Sequence, residues 1–223
     1  MICHLAYHIL SFASQRLRIT RDSLDTAHIH SFSFLSPQHL VVALFNPLPY
    51  PTTPKLDVFD FLATCPDESS DPRPVRSFQL PHLTEGAYVQ SILTRSDPSP
   101  DTSAQSPATN GKLFYTAPSS RLLTVSMELI SENGHPGKFV LFVHHSALLE
   151  YLEPGLILDD VIVPWKDWGP KKTRLIPIEQ NEPDFVCYVH GTRYVRLETV
   201  GRVILPRLVI RDFNPLAVRR GKF

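Results

Sequence analysis

With 223 residues, 43% of them hydrophobic and 20% charged, the chain has the make-up of an ordinary globular protein; it is long for one average domain and short for two, so one large or one incomplete β-rich domain is expected. Twenty-one prolines against nine glycines exclude long helices and favour short strands joined by rigid turns. Lys and Arg (22) balance Asp and Glu (22), which leaves no electrostatic footprint for nucleic acid or an anionic membrane; Arg219, Arg220 and Lys222 read as a solvated tail.

Residues 1–24 read as a weakly helical or disordered segment, with Leu5, Ile9, Leu10 and Phe12 loosely on one face. No positive charge precedes this apolar run, and it is too short to span a bilayer, so neither a signal peptide nor a membrane anchor is expected. Cys3, Cys65 and Cys187 are odd in number and far apart, without metal-type spacing. A disulfide framework is not expected, and cytosol or nucleus is the favoured compartment.

The domain is expected over 25–223. IHSFSFLSPQHLVVALFN divides at Ser36-Pro37-Gln38 into two strands, the second apolar on both faces from Leu40 to Phe45. KLDVFDFL follows a proline-rich link, and TCPDESSDPRPVRS then reads as a surface loop. SFQLP and YVQSILTRSD are expected strands, the second with a short helix as its alternative. Residues 95–111, rich in Ser, Pro, Thr and Asp, are expected to form a long solvated loop, in which Ser96, Ser99 and Ser106 stand near prolines as phosphorylation candidates. KLFYTAP, SSRLLTVSMELI and GKFVLFVHH are three further strands, the last two joined at Asn133-Gly134 and Pro136-Gly137. SALLEYLE is the one helical pattern, closed by Pro154-Gly155. LILDDVIVPW, TRLIPI, DFVCYVHG, TRYVRLE and RLVIRDFNP complete the strands.

Two internal echoes bear on the architecture. FVLFVH at Phe139–His144 returns as FVCYVH at Phe185–His190, and PKLDVFDF at Pro54–Phe61 is echoed by PRLVIRDF at Pro206–Phe213. A spacing in the forties is that of a propeller blade, and strands bulky on both faces suit a sheet held between neighbours. The expected fold is all-β: a partial, three- to four-blade β-propeller-like stack of antiparallel sheets with one short helix near 145–153. Units of this kind stabilise one another by stacking.

No metal or cofactor site is expected, and no catalytic one. His144, His145 and His190 lack companion ligands and read as capping or satisfied strand-end residues. Cys187 lies in an apolar strand without an activating neighbour. Asp159 and Asp160 are adjacent, so on a strand they point to opposite faces. Neither a G-x-S-x-G elbow nor a phosphate-binding glycine loop occurs. A hydrolase would need at least two of Asp60, Asp212, His144 and His190 to converge. Trp165 and Trp168, with Lys171 and Arg174 beside them, are the candidate protein-interaction residues, against the competing reading that both indoles pack over a sheet edge around a turn at Gly169-Pro170.

The segments LSPQHLVVALF, SSRLLTVSMELI, VPWKDWGPKKTRLI, DFVCYVHGTRYV and RLVIRDFNP, in this order from about His28 to Asn214, together resemble the C-terminal region of a large group of basidiomycete-fungal F-box proteins. The W-x-x-W-G-P-x-x-T-R run from Trp165 to Arg174 and the C-Y-V-H-G-x-R-Y run from Cys187 to Tyr194 are its most specific parts. The resemblance implies a propeller-like domain that holds an unknown protein partner, and recruitment of a cullin ubiquitin ligase through its adaptor. Met1–Thr26 has neither the length nor the L-P-x-E-L/I opening of an F-box, so the adaptor is expected only if an F-box lies upstream. A non-enzymatic interaction domain is the leading expectation; a propeller-type hydrolase and a truncated product without independent function are its alternatives.

Overall fold

Segments whose consecutive side chains are all apolar must be covered on two sides, and this decides how the strands are arranged. The architecture comes from a computed structural model, which describes residues 28–45, 53–62, 73–97, 120–153, 161–178, 187–199 and 206–214. Within them lie β1 (His28–Phe34), β2 (His39–Phe45), β3 (Lys55–Asp60), β4 (Arg76–Gln79), β5 (Tyr88–Arg95), β6 (Leu122–Ile130) and β7 (Pro136–His144). Helix α1 (His145–Leu149) runs into a 3-10 turn (Glu150–Leu152), followed by β8 (Ile162–Val163), helix α2 (Trp165–Lys172) and β9 (Thr173–Ile178). The last sheet is built from β10 (Cys187–His190), β11 (Arg193–Thr199) and β12 (Pro206–Asp212).

These strands make three sheets. The first has the order β1-β2-β3-β4-β8, the central one β5-β6-β7-β9 and the third β10-β11-β12. All ladders are antiparallel except β4–β8, where Ser77 pairs with Ile162 and Phe78 with Val163 in parallel. The chain is thus mostly β, as its composition indicates, and the described strands form separate sheets and no closed barrel.

The largest apolar cluster lies between the first two sheets. Val41, Ala43, Leu56, Val58 and Phe78 meet Ile92, Leu123, Val125, Leu141 and Val143 there, with Ala147, Leu148 and Trp168 from the helices. The alternate residues of β7, Val140 and Phe142, face the other way and pack with Val189 and Tyr194 of the third sheet. Phe142 stands edge-on to Tyr194 at 4.8 Å and stacks on Phe213 at 4.5 Å. The opposite face of the first sheet is also buried, through Leu40, Val42, Leu44 and Phe59.

The two edges of the pair formed by the first and central sheets close differently. On one side β1 meets β5 through hydroxyls: the Thr94 N–H donates to Ser31 Oγ at 2.7 Å and Ser33 Oγ donates to Thr94 Oγ1 at 3.1 Å. On the other side α2 connects β8, the edge of the first sheet, to β9, the edge of the central one. Trp168 hangs from this helix into the core, 0% exposed, with its ring edge-on to Phe78 at 5.3 Å.

Two expectations are corrected. Trp165–Lys172 is a helix where a turn at Gly169-Pro170 was expected, because Pro170 removes only one N–H from a short helix anchored by its tryptophans. The strand expected at YVQSILTRSD is present as β5, and its alternative, a short helix, is not formed. The echo between 139–144 and 185–190 does not mark equivalent places: β7 is the third strand of its meander and β10 the first of its own. The echo between 54–61 and 206–213 does connect two third strands, β3 and β12. First strands begin at His28, Tyr88 and Cys187, so among the described residues the sheets do not start at a fixed spacing in the forties. The helix expected near 145–153 is present as α1 and its 3-10 extension. Residues 1–24, the strand expected at KLFYTAP, Cys3, Cys65, Asp159, Asp160, Ser99 and Ser106 lie outside the described residues, as does the proposed loop beyond Asp97.

Replacing Trp168 by Ala removes the largest fully buried side chain, and a loss of about 3–5 kcal/mol in unfolding free energy is expected from urea titration. A loss under about 1 kcal/mol, the size of an ordinary surface change, would show that α2 is not part of the cooperative core.

Candidate functional site

Helix α2 is built around the spacing of its aromatic face. Trp165, Trp168 and Gly169 stand at i, i+3 and i+4, so they share one side of the helix. The two indoles meet edge-on at 5.2 Å, and Trp168 Nε1 donates to the Gln79 carbonyl of the first sheet at 2.9 Å. The ring of Trp165 lies flat over Gly169, where a Cβ would overlap its carbons; only glycine fits. The Thr173 hydroxyl and N–H both donate to the Gly169 carbonyl, the hydroxyl at 2.7 Å, and this closes the helix and turns the chain into β9.

The opposite side of the helix faces water. Lys166, Asp167, Pro170, Lys171, Lys172 and Arg174 are exposed, while Trp165, half-buried, packs against Trp168 and the core at the border of this side. Lys172 reaches Glu150 at 2.7 Å, an exposed pair of small energetic weight, and Arg174 Nη1 donates to the Thr173 carbonyl at 3.2 Å. Val161, Ile162 and Leu175 flank the ridge as exposed apolar side chains. Of the four residues singled out for recognition, Trp165, Lys171 and Arg174 stand at this surface. Trp168 does not: it is a core residue whose indole N–H is already satisfied.

A second cluster gathers at strand ends between the sheets. His145 is fully buried, with Nδ1 2.8 Å from the Leu35 carbonyl and Nε2 2.7 Å from Ser96 Oγ. A carbonyl can only accept, so Nδ1 carries the proton and Nε2 accepts from the serine hydroxyl. Arg121, also buried, donates to Leu35 O through Nη2 at 3.4 Å, and its carbonyl accepts the His145 N–H at 2.9 Å. Gly191, at φ +60° in the β10–β11 turn, links the third sheet in: its N–H donates to Asp97 O and its carbonyl accepts from the Leu122 N–H, both at 2.8 Å.

In outline Ser96, His145 and Leu35 O are a nucleophile, a base and an orienting group. The electrostatics oppose that use. Burial, and then the Arg121 guanidinium, hold the His145 imidazole down to about 3, so it is a poor proton acceptor for the serine hydroxyl. Burial likewise pulls Arg121 below its ordinary value, against the attraction of Asp97. The cluster acts as a polar latch that joins three sheets.

The residues whose convergence would signal hydrolysis are taken up locally. The Asp60 carboxylate accepts the Leu62 N–H, His144 Nδ1 donates to Ser120 O, and His190 lies 3.6 Å from Asp97. For Asp212, burial alone would raise the carboxyl, but bonds from the Asn214 N–H, the Thr192 hydroxyl and Arg193 prevail and lower it. His190 and Asp212 stand on β10 and β12, with Arg193 of β11 between them in register. Among the described residues no group of three or more His, Cys, Asp and Glu side chains is placed to hold a metal. None of their helices is long and apolar enough to cross a membrane.

Sequence reasoning missed the latch because its members are 49 and 110 residues apart along the chain. No family model matches this chain, and neither a curated protein nor a solved structure is significantly similar to it.

Two outcomes are expected. Below the ordinary histidine value of 6.5 the unfolded chain binds a proton at His145 that the folded chain refuses until about pH 3. Stability attributable to this group is therefore full above 6.5 and falls with decreasing pH, by up to about 1.4 kcal/mol per pH unit. Urea titrations at several pH values should show a shallower acid slope for His145→Gln than for the parent; equal slopes would remove His145 as the source. The Gly169→Ala variant should expel the Trp165 ring, seen as a red shift and easier quenching of tryptophan fluorescence together with a lower thermal midpoint.

Proposed function

We propose that this chain is a protein-interaction domain without a reaction centre, and that its three sheets are successive blades of a partial, three- to four-blade propeller. Three features support the propeller reading. Each sheet contains an up-and-down meander taken in chain order; successive sheets meet through apolar faces; and β1 lies beside β5, first strand against first strand. Unequal inserted loops account for the uneven starts of the meanders. The likeness to the C-terminal region of basidiomycete-fungal F-box proteins gives this reading its cellular form: the target-holding part of a ubiquitin-ligase receptor in the cytosol or nucleus. A cullin-ligase adaptor is a partner only where an F-box precedes the domain, and neither nucleic acid nor a membrane is a partner in this reading.

The observation that carries the proposal is the α2 ridge. It presents Trp165 with Lys166, Lys171 and Arg174 on a helix locked to both sheets, a rigid aromatic and cationic surface of the kind that recognises protein. Hydrolysis is the weaker reading: burial strips the His145 imidazole beside Ser96 of its basicity, and burial also lowers His39, whose Nδ1 lies 2.8 Å from Ser36 Oγ.

The test is a comparison of binding partners between the parent and the double variant Lys171→Glu, Arg174→Glu. Both residues are exposed, so the thermal midpoint should stay within a degree or two of the parent, as for surface substitutions of about 0.5 kcal/mol. Proteins that bind through the ridge should be depleted at least tenfold in quantitative affinity capture with the variant. Recovery of an unchanged set of proteins would sink the assignment of this surface.

A further inference from the structure

In the short turn between β1 and β2, polar groups converge on one hydroxyl. Ser36 Oγ accepts the backbone N–H groups of Gln38 at 3.2 Å and of His39 at 3.0 Å, and it lies 2.8 Å from His39 Nδ1. The two donors take up both lone pairs of the oxygen, so the hydroxyl proton points to Nδ1 and the imidazole is the acceptor. Successive N–H groups gathered in a turn form a concavity of the kind that holds anions. Here a neutral hydroxyl occupies it.

The residues around that oxygen bear on how it could be charged. Among the described residues, Ser36-Pro37 and Thr53-Pro54 set a proline straight after a hydroxyl. Such a proline offers no N–H and fixes its own φ, and protein kinases of the proline-directed class read it at that position. Pro37 and Gln38 are exposed at the tip of the turn with Ser36 half-buried beside them, whereas Pro54 is buried. Ser96, followed by Asp97, spends its hydroxyl on the buried His145.

We propose that Ser36 is a phosphorylation site for a proline-directed protein kinase, and that the turn receives the phosphate through the Gln38 and His39 N–H groups and the His39 ring. The co-substrate is a nucleoside triphosphate. Ser36 Oγ bonds to its γ-phosphorus as the bond to the bridging oxygen breaks; the nucleoside diphosphate leaves, and the hydroxyl proton passes to the catalytic base of the kinase. The phosphate dianion has acceptors only, so the Ser36–His39 bond reverses and Nδ1 becomes the donor. Burial holds His39 below its ordinary value, against the attraction of Asp60, its partner in register on β3. A phosphate beside the ring adds to the pull of Asp60 and favours the imidazolium. The proposal rests on this turn and does not depend on the α2 ridge.

The experiment incubates the whole chain with ATP, magnesium and a purified proline-directed kinase, and maps the phosphate by mass spectrometry. Ser36 should be modified in the folded protein, and Pro37→Ala should slow its modification at least about tenfold. The His39 ring is then followed by proton NMR across a pH series. It should titrate below the ordinary 6.5 before modification and hold its proton at least about tenfold more tightly afterwards. Both readouts on the parent chain stand even if the Pro37→Ala variant fails to fold. A Ser36 left unmodified in the folded chain would overturn the site, and a His39 titration unchanged by the phosphate would overturn the turn as its receptor.

Discussion

The strand β7 of the central sheet has no side it can turn to water: Leu141 and Val143 point into one apolar layer while Val140 and Phe142 point into another, so it is stable only between two other sheets. Each of these side chains contributes roughly 1.5–3 kcal/mol through burial, and half of that is lost if either neighbouring sheet is removed. The first and third sheets are therefore not optional attachments. They are the two solvents in which the central sheet dissolves its faces.

Given that constraint, several buried polar groups gather at the borders between sheets, while Asp57, buried within the first sheet, pairs with Lys55 at 2.8 Å. Ser31, Ser33 and Thr94 satisfy one another where β1 approaches β5. His145, Ser96 and Arg121 do the same where strand ends from the sheets meet. Burial leaves the imidazole neutral, and the Arg121 guanidinium beside it is attracted by Asp97. These groups hold the layers in register.

The strands were legible in the chain wherever both faces were apolar, as at Leu40–Phe45 and Phe139–Val143, because such runs have one physical use. The helix at 145–153 was legible from its 3.6-residue spacing and closing Pro-Gly. Helix α2 was not, since a glycine and a proline in the middle of WKDWGPKK carry the usual signature of a turn. Only the approach of the Trp165 ring to Gly169 and the pull of Trp168 into the core explain why a helix forms there. Nor was the β4–β8 pairing visible, because two residues carry no period. The likeness of FVLFVH and FVCYVH reflects a shared demand for a two-faced apolar strand, met at different positions in two sheets. Of the residues chosen for recognition, Lys171 and Arg174 are exposed and Trp165 is half-buried; Trp168 could not be told from them without knowing which side of a helix it occupies.

The route of the chain through β8 has a consequence for synthesis. The first sheet is not finished when β4 is made, because its outer strand is Ile162–Val163, and the Gln79 carbonyl finds the Trp168 indole 89 residues later. At roughly 5–20 residues per second, that contact waits several seconds on the ribosome while β5, β6 and β7 are still emerging. The first two sheets cannot mature one after the other; they complete together, when α2 passes from one to the other. A nascent chain interrupted before Trp168 would expose the apolar floor beside Phe78, which gives chaperones a defined window and a defined place to act.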